Sequence, residues 1–363
     1  MPGSDSPFAG LRQIGHSFWL DNLSRGMLRS GELRRLVEAG EATGITTNPA
    51  IFRNAMSSGE AYRAELAVLR STEPDLERRY ERMAIADVQA ACDVLRPVFD
   101  ATRGDDGYVS LEVSPTLAHD AAGTLGAARR LHAAVGRDNA LIKIPGTPAG
   151  VAAFRQCIAE GISVNVTLLF SLGQMESIFD AYLEGLGLFA ANGGELRRIK
   201  AVASFFMSRI DTLVDRRLES IGSAEALALR GRAAVATAKA AYRRYQDIFG
   251  GQRFAELRAA GARPQYLLWA STSTKNPAYP DLLYVEPLIG PETINTLPDA
   301  TLAAFRDHGK VESTLAEGLA DALAVLDSLQ RVGIDAEAVG TQLQDEGVRL
   351  FDEAFAALLA ALD

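Results

Sequence analysis

The amino-acid sequence predicts an α/β fold, a single (β/α)8 TIM barrel with extra helices, on three observations. Short runs rich in Val, Ile, Leu and aromatic residues alternate with longer amphipathic stretches, the pattern of parallel strands joined by crossover helices. Runs such as AVASFF and QYLLWAS are apolar on both faces, as strands wrapped in helices must be. The competing arrangement, a doubly wound open sheet, would in its dinucleotide-binding version carry a Gly-x-Gly-x-x-Gly turn after an early strand, and none is present.

In chain order, the strands are expected near 16–20, 43–47, 107–113, 140–144, 161–168, 200–205, 264–270 and 282–286, since these runs are too short for helices. LRRLVEAG, GTLGAARRLHAAV and MESIFDAYLEGLGLF carry helical spacing, as does the long Ala- and Arg-rich stretch from Ser223 to Phe249. Thr147 followed by Pro148 predicts a helix start, an N-cap with proline at the first helical position. Two additions to the barrel are expected: a helical insertion at about 55–98, and a tail at about 310–363 that reads as three helices. No low-complexity segment or linker interrupts 1–363, so one domain is expected.

Hydrophobic residues make up 48% of the 363 and charged residues 23%, the composition of a globular protein with a sizeable core. A net charge of −9 argues against a nucleic-acid or anionic-membrane partner, whose footprint would be basic. An anionic ligand must then meet a local cluster of donors. Cys92 and Cys157 sit in helix-like apolar segments and read as core residues of a reducing compartment. The opening MPGSDSPFAG lacks a leader pattern and no apolar run reaches membrane-spanning length, so a cytoplasmic protein is expected. His16, His119, His132 and His308 form no ligand spacing and no Cys-x-x-Cys exists, so neither a metal nor another cofactor is expected.

In a barrel of this kind the chemistry comes from the C-terminal ends of strands, so the informative residues are polar ones that break apolar strands there. Lys143 in ALIKIPG is flanked by Leu141, Ile142, Ile144 and Pro145, and it is one of only five lysines among 37 cations. It is either an edge-strand lysine reaching solvent or an amine enclosed in a barrel, where loss of water favours the neutral form that attacks a carbonyl. Its scarcity favours the second reading, because arginine stays protonated and cannot form an imine.

Asp21 in WLDN and Glu112 in SLEVSP break two further strands. Asp21 could instead cap a helix from Asn22 onward; Glu112, followed by Val113 and Pro115, has no such alternative. Two carboxyl groups beside an imine can divide acid and base roles if their environments separate their pKa values. Asn48, Asn165, Thr167 and Ser204 are neutral strand-end groups able to hold sugar hydroxyls, with Asn165 and Thr167 on one side of a strand. Asn48 before Pro49 also reads as a turn. For a phosphate, Arg209 near a helix start and Ser271 and Lys275 after the seventh strand are the candidates.

GITTNPAIF and LIKIPGTPAGVAAFRQC resemble the two signatures of the transaldolase family, the second surrounding its Schiff-base lysine. The resemblance continues through WLDN, SLEVSP, NVTLLFS, SFFMSRID, WASTSTKNP and LIGPETINTLPDATL, from about Phe18 to Phe305, in the manner of the longer bacterial and plant branch. It implies a class I aldolase barrel, cofactor-free, acting on sugar phosphates of the pentose phosphate pathway as a monomer or homodimer. It also implies that Lys143 forms the imine, that Asp21 moves the proton of the donor's C4 hydroxyl, and that Glu112 acts through a water shared with Thr167. Asn48, Asn165 and Ser204 would then orient the dihydroxyacetone unit, Phe206 would close the wall, and Arg209 and Ser271 would bind phosphate. The chain departs from the better-known branch at Ser273, where an arginine is usual, which leaves Lys275 as the nearest cation. A lytic fructose 6-phosphate aldolase or an inactive barrel used for binding are the alternatives. The lytic relatives tend to have glutamine and tyrosine where Glu112 and Phe206 stand.

Overall fold

The computed structural model describes residues 7–58 and 60–363. Residues 1–6, most of the opening stretch read above for a leader, lie outside the described residues. Among the described residues eight parallel strands close into a barrel: β1 (His16–Leu20), β2 (Gly44–Ile45), β3 (Val109–Glu112), β4 (Ala140–Pro145), β5 (Val164–Leu169), β6 (Ala201–Phe206), β7 (Tyr266–Ala270) and β8 (Thr293–Leu297). They neighbour one another in chain order, and β8 returns to β1 with Trp19 opposite Thr296. Every strand residue except Ser17 and Tyr266 is buried. This is why the runs read as continuously apolar: one set of side chains fills the barrel and the alternate set meets the helices.

The segment carrying Lys143 shows how the local sequence builds the site. After β4 the chain turns at once into the helix Pro148–Ala159, capped by the Thr147 hydroxyl, which accepts from the Gly150 amide at 3.0 Å. Gly150 lets the helix start hard against the strand, because a Cβ there would lie 1.8 Å from the Pro145 carbonyl oxygen.

The eighth strand is not where the sequence placed it. Residues 282–286 form turns leading into a short 3-10 helix, Glu286–Leu288, and the strand is TINTL at 293–297. Leu282, Tyr284 and Val285 are buried without joining the sheet. Pro280 and Pro287 bracket them, and proline offers no N–H to a ladder. The true strand was masked because Thr293, Asn295 and Thr296 are polar yet buried, with the Asn295 amide donating to the Tyr284 carbonyl at 2.9 Å.

The stretch from Ser223 to Phe249 is two helices, Ala224–Leu227 and Ala233–Phe249, parted at Gly231, whose φ is +69°. The tail after His308 holds two helices, Leu319–Arg331 and Ala336–Leu362, not three. Residues 309–318 instead run irregularly, with the Lys239 ammonium donating to the carbonyls of Thr314 and Glu317 at 2.7 and 2.8 Å. The helical insertion starts earlier and ends later than expected, as Pro49–Ser58, Glu60–Thr72 and Leu76–Ala101. It is tied to the barrel side through Arg25, whose Nε donates to Asp87 at 2.7 Å while the Tyr62 hydroxyl donates to the same carboxylate at 2.6 Å.

The last helix, Ala336–Leu362, lies over the barrel mouth. Gln344 donates through Nε2 to the carbonyls of Gly146 (2.9 Å) and Leu168 (3.0 Å), joining the ends of β4 and β5. Gly347 permits the close approach, since a Cβ there would come within 2.9 Å of the Leu168 side chain.

Two glycine substitutions are expected to act in opposite directions in denaturant titrations. Gly150→Ala overpacks the β4 end and costs about 1–3 kcal/mol. Gly126→Ala, on an exposed helical position with open space around it, adds roughly 0.5–1 kcal/mol by helix propensity.

Candidate active site

At the C-terminal end of the barrel a cavity of about 150 Å³ collects side chains from around the ring. Lys143 on β4 reaches into it. The strand lies between β3 and β5, so the solvent-edge alternative fails, and the residue is 4% exposed. Its Nζ donates to the Thr47 carbonyl at 3.0 Å and stands 3.4 Å from Glu112 Oε2. That proximity follows from register: Glu112 is the β3 partner of Lys143, and Asn165 is its β5 partner.

Glu112 sits beside the amine and not on the cavity wall. Burial pushes its carboxyl up to about 7, against the pull of Lys143, with Asp21 adding a smaller upward push. Glu112 Oε2 and Thr167 Oγ1 are both buried without a hydrogen-bond partner, which suits two groups that share a ligand between them.

Asp21 follows β1 and lines the cavity, where it accepts from the Thr46 hydroxyl at 3.1 Å. Burial raises its carboxyl above the usual range, opposed chiefly by Lys143, then by the Thr46 bond and by Lys275. It caps no helix: Ser24 does that for Arg25–Ser30, accepting from the Met27 amide. Asn48 serves twice, since its Oδ1 accepts from the Ile51 amide at the start of the next helix while the residue lines the cavity.

Asn165 is placed differently from its neighbours. Its amide donates to Ser110 Oγ at 3.0 Å and its carbonyl accepts from Ser204 Oγ at 2.7 Å. It lies beneath the cavity as a brace, whereas Ser204, Thr167 and Phe206 line the wall.

Arg209 stands in the first turn of Met207–Ile221 and lines the cavity. Its guanidinium carbon lies 5.4 Å from the Phe206 ring centroid, and Nη1 is buried without a hydrogen-bond partner. Asp211 and Asp215 do not claim it: the first accepts from the Ala234 amide and Tyr284, the second from the Gly231 amide and Tyr279. A helix N-terminus beside an unpaired guanidinium suits an anion. Ser271 joins the wall in a left-handed conformation (φ +55°), its hydroxyl 2.8 Å from that of Ser208. Lys275 is exposed, donates to Ser273 Oγ at 2.6 Å and is not part of the wall.

Two of the wall residues that the sequence did not single out stand out by position. Thr296 lies on the misplaced eighth strand, and Phe351 comes from the last helix, its ring 5.7 Å from Lys143 Nζ. Nothing local marks Phe351, because an aromatic at helical spacing is the ordinary signature of packing. Burial alone was also a weaker clue to the lysine than it looked. Lys200 is 0% exposed, but it sits just before β6 at the opposite end of the barrel, paired with Asp105 at 2.9 Å over the Tyr266 ring.

The family described as transaldolase/fructose-6-phosphate aldolase matches residues 18–362. The chain belongs to that family. A transaldolase of Thiobacillus denitrificans is 55% identical over 96% of this chain and 98% of its own length. One from Neisseria gonorrhoeae is 47% identical over 97% and 98%, and transaldolase 1 of Streptomyces coelicolor 49% over 97% and 93%. Relatives of that name at such identity and coverage support transaldolase activity in this chain. Among the described residues no helix is long and apolar enough to cross a membrane, and no group of three or more His, Cys, Asp or Glu is placed to hold a metal ion.

The raised Glu112 pKa has a signature in stability. Between the ordinary value of 4.5 and about 7, the folded chain holds a proton that the unfolded chain releases, so this group's contribution falls as pH rises. Asp21 titrates in both proteins, so the comparison with Glu112→Gln reports Glu112 together with its coupling to Lys143 and Asp21. Denaturant titrations from pH 4.5 to 7.5 should show the parent losing stability relative to that variant.

Proposed function

We propose that the chain works as a transaldolase through an imine on Lys143, moving a dihydroxyacetone unit from sedoheptulose 7-phosphate to glyceraldehyde 3-phosphate. The products are erythrose 4-phosphate and fructose 6-phosphate. The observation that carries this reading is a 4% exposed amine, 3.4 Å from Glu112 and sharing a cavity with Asp21 and an unpaired Arg209 guanidinium.

The neutral amine of Lys143 adds to the donor ketone, and loss of water gives the imine. Asp21 takes the proton of the C4 hydroxyl as the C3–C4 bond breaks, and the bonding electrons pass to the three-carbon enamine. The first aldehyde leaves, the enamine attacks an acceptor aldehyde while Asp21 returns its proton to the new C4 hydroxyl, and addition of water to the imine frees the new ketose and the Lys143 amine. Glu112, with Thr167, relays protons as the imine forms and is released; a carboxyl near 7 exchanges protons readily at neutral pH. Ser204 and Asn48 face the dihydroxyacetone part, with Asn165 bracing Ser204 from below. Arg209 and Ser271 take the phosphate, and Lys275 acts on it only from a distance.

Transfer is favoured over lysis because Phe206 has no hydroxyl with which to place water or a proton near the enamine. The whole chain is read as one domain, supported by the Gln344 bonds that join the tail to β4 and β5. The two buried free thiols, Cys92 and Cys157, support a cytoplasmic setting.

Borohydride reduction with fructose 6-phosphate should leave a three-carbon adduct on Lys143, read by peptide mass mapping. Lys143→Arg should lose the adduct and nearly all activity. An adduct on Lys200 or Lys275 would overturn the assignment. Fructose 6-phosphate alone should release little dihydroxyacetone, and added erythrose 4-phosphate should give rapid sedoheptulose 7-phosphate. Equal rates with and without acceptor would make the enzyme a lyase. Asp21→Ala should slow cleavage, so that the trapped adduct is the whole donor sugar.

A further inference from the structure

The last helix brings one aromatic ring within about 6 Å of both cations of the cavity. Phe351 lies 5.7 Å from Lys143 Nζ and 5.9 Å from the Arg209 guanidinium carbon, and Phe206 covers Arg209 from its own side at 5.4 Å. Among the described residues Arg209 makes no ion pair, and its Nη1 is buried without a hydrogen-bond partner. The nearest acidic influence is Glu346, one turn before Phe351, and its carboxylate already accepts from Gln342 Nε2 at 2.7 Å. A half-buried guanidinium beside two aromatic rings, with no carboxylate on it, remains available to a phosphate dianion.

The ring cannot drift freely along the mouth. Gln344, two turns earlier, bonds the carbonyls of Gly146 and Leu168, which follow Lys143 and Thr167 on β4 and β5. Gly347 lets the helix settle close to Leu168 and Arg209, a Cβ there lying 3.5 Å from Arg209 Nη1.

We propose that Phe351, seated by the Gln344 bonds, is a specificity-determining residue that holds Arg209 unpaired and spaced from Lys143, so that preference for phosphorylated donors depends on a helix outside the barrel. The inference rests on the reading of Arg209 as the phosphate cation and extends it.

The test compares fructose 6-phosphate with dihydroxyacetone, an unphosphorylated donor, using D-glyceraldehyde as acceptor so that only the donor can bring a phosphate to Arg209. Phe351→Leu keeps an apolar side chain and removes the ring. It should lower kcat/KM for fructose 6-phosphate about tenfold more than it lowers kcat/KM for dihydroxyacetone, with the larger part of that difference in KM. Phe351→Tyr, which keeps the ring, should restore the low KM. Gln344→Leu should move KM in the same direction by a smaller factor, and it supplies a second route should Phe351→Leu fold poorly. Proportional losses for both donors, or no change in either, would overturn the inference while the Lys143 adduct still formed. Absence of that adduct in the unmodified enzyme would overturn the proposed function itself and this inference with it.

Discussion

A single contact orders the mouth of this barrel: the Lys143 amine 3.4 Å from the Glu112 carboxyl, both almost wholly withdrawn from water. Polar groups taken out of solvent need close partners, and parallel register provides them by making Glu112, Lys143 and Asn165 direct neighbours on consecutive strands. The Thr47 carbonyl closes the set from the end of β2. Each strand therefore has to keep its register for the amine to keep its surroundings. A slip of one residue would turn Lys143 toward the outer helices. The helix start at Thr147, pressed against Pro145 by Gly150, is one of the restraints against that slip.

The amine's surroundings also divide labour between two carboxyl groups that burial treats alike. Both are raised above the ordinary range, but they are satisfied differently. Asp21 stands on the cavity wall with a hydroxyl donor from Thr46. Glu112 stands behind the amine with one oxygen lacking a hydrogen bond. A group on the wall can reach a substrate hydroxyl directly, whereas a group behind the amine acts on the nitrogen's own protons. Below them Ser110, Asn165 and Ser204 bond to one another as a brace under the reacting end.

Much of this was legible because a barrel places its chemistry where apolar strands end. Lys143, Asp21, Glu112, Thr167 and Ser204 each interrupt such a strand, and interruption is a local signal. β8 was hidden for the converse reason. TINTL is polar inside the barrel, so it did not resemble a strand, while the apolar LLYV before it packs without ladder bonds. Phe351 was invisible for another reason: its partners Lys143 and Arg209 lie far back in the chain, and no periodicity encodes a contact of that separation. Lys200 shows the limit of scarcity as a clue, since the same residue type buried at the other end of the barrel makes a structural ion pair.

The covering helix, Ala336–Leu362, has a temporal meaning. During synthesis all eight strands, Lys143 among them, and the helix that carries Arg209 leave the ribosome before Phe351 does. A nascent chain can therefore close its ring of strands while the cavity still lacks its aromatic wall. The amine is then born into an open mouth, and a segment that emerges after the barrel is the one that encloses it.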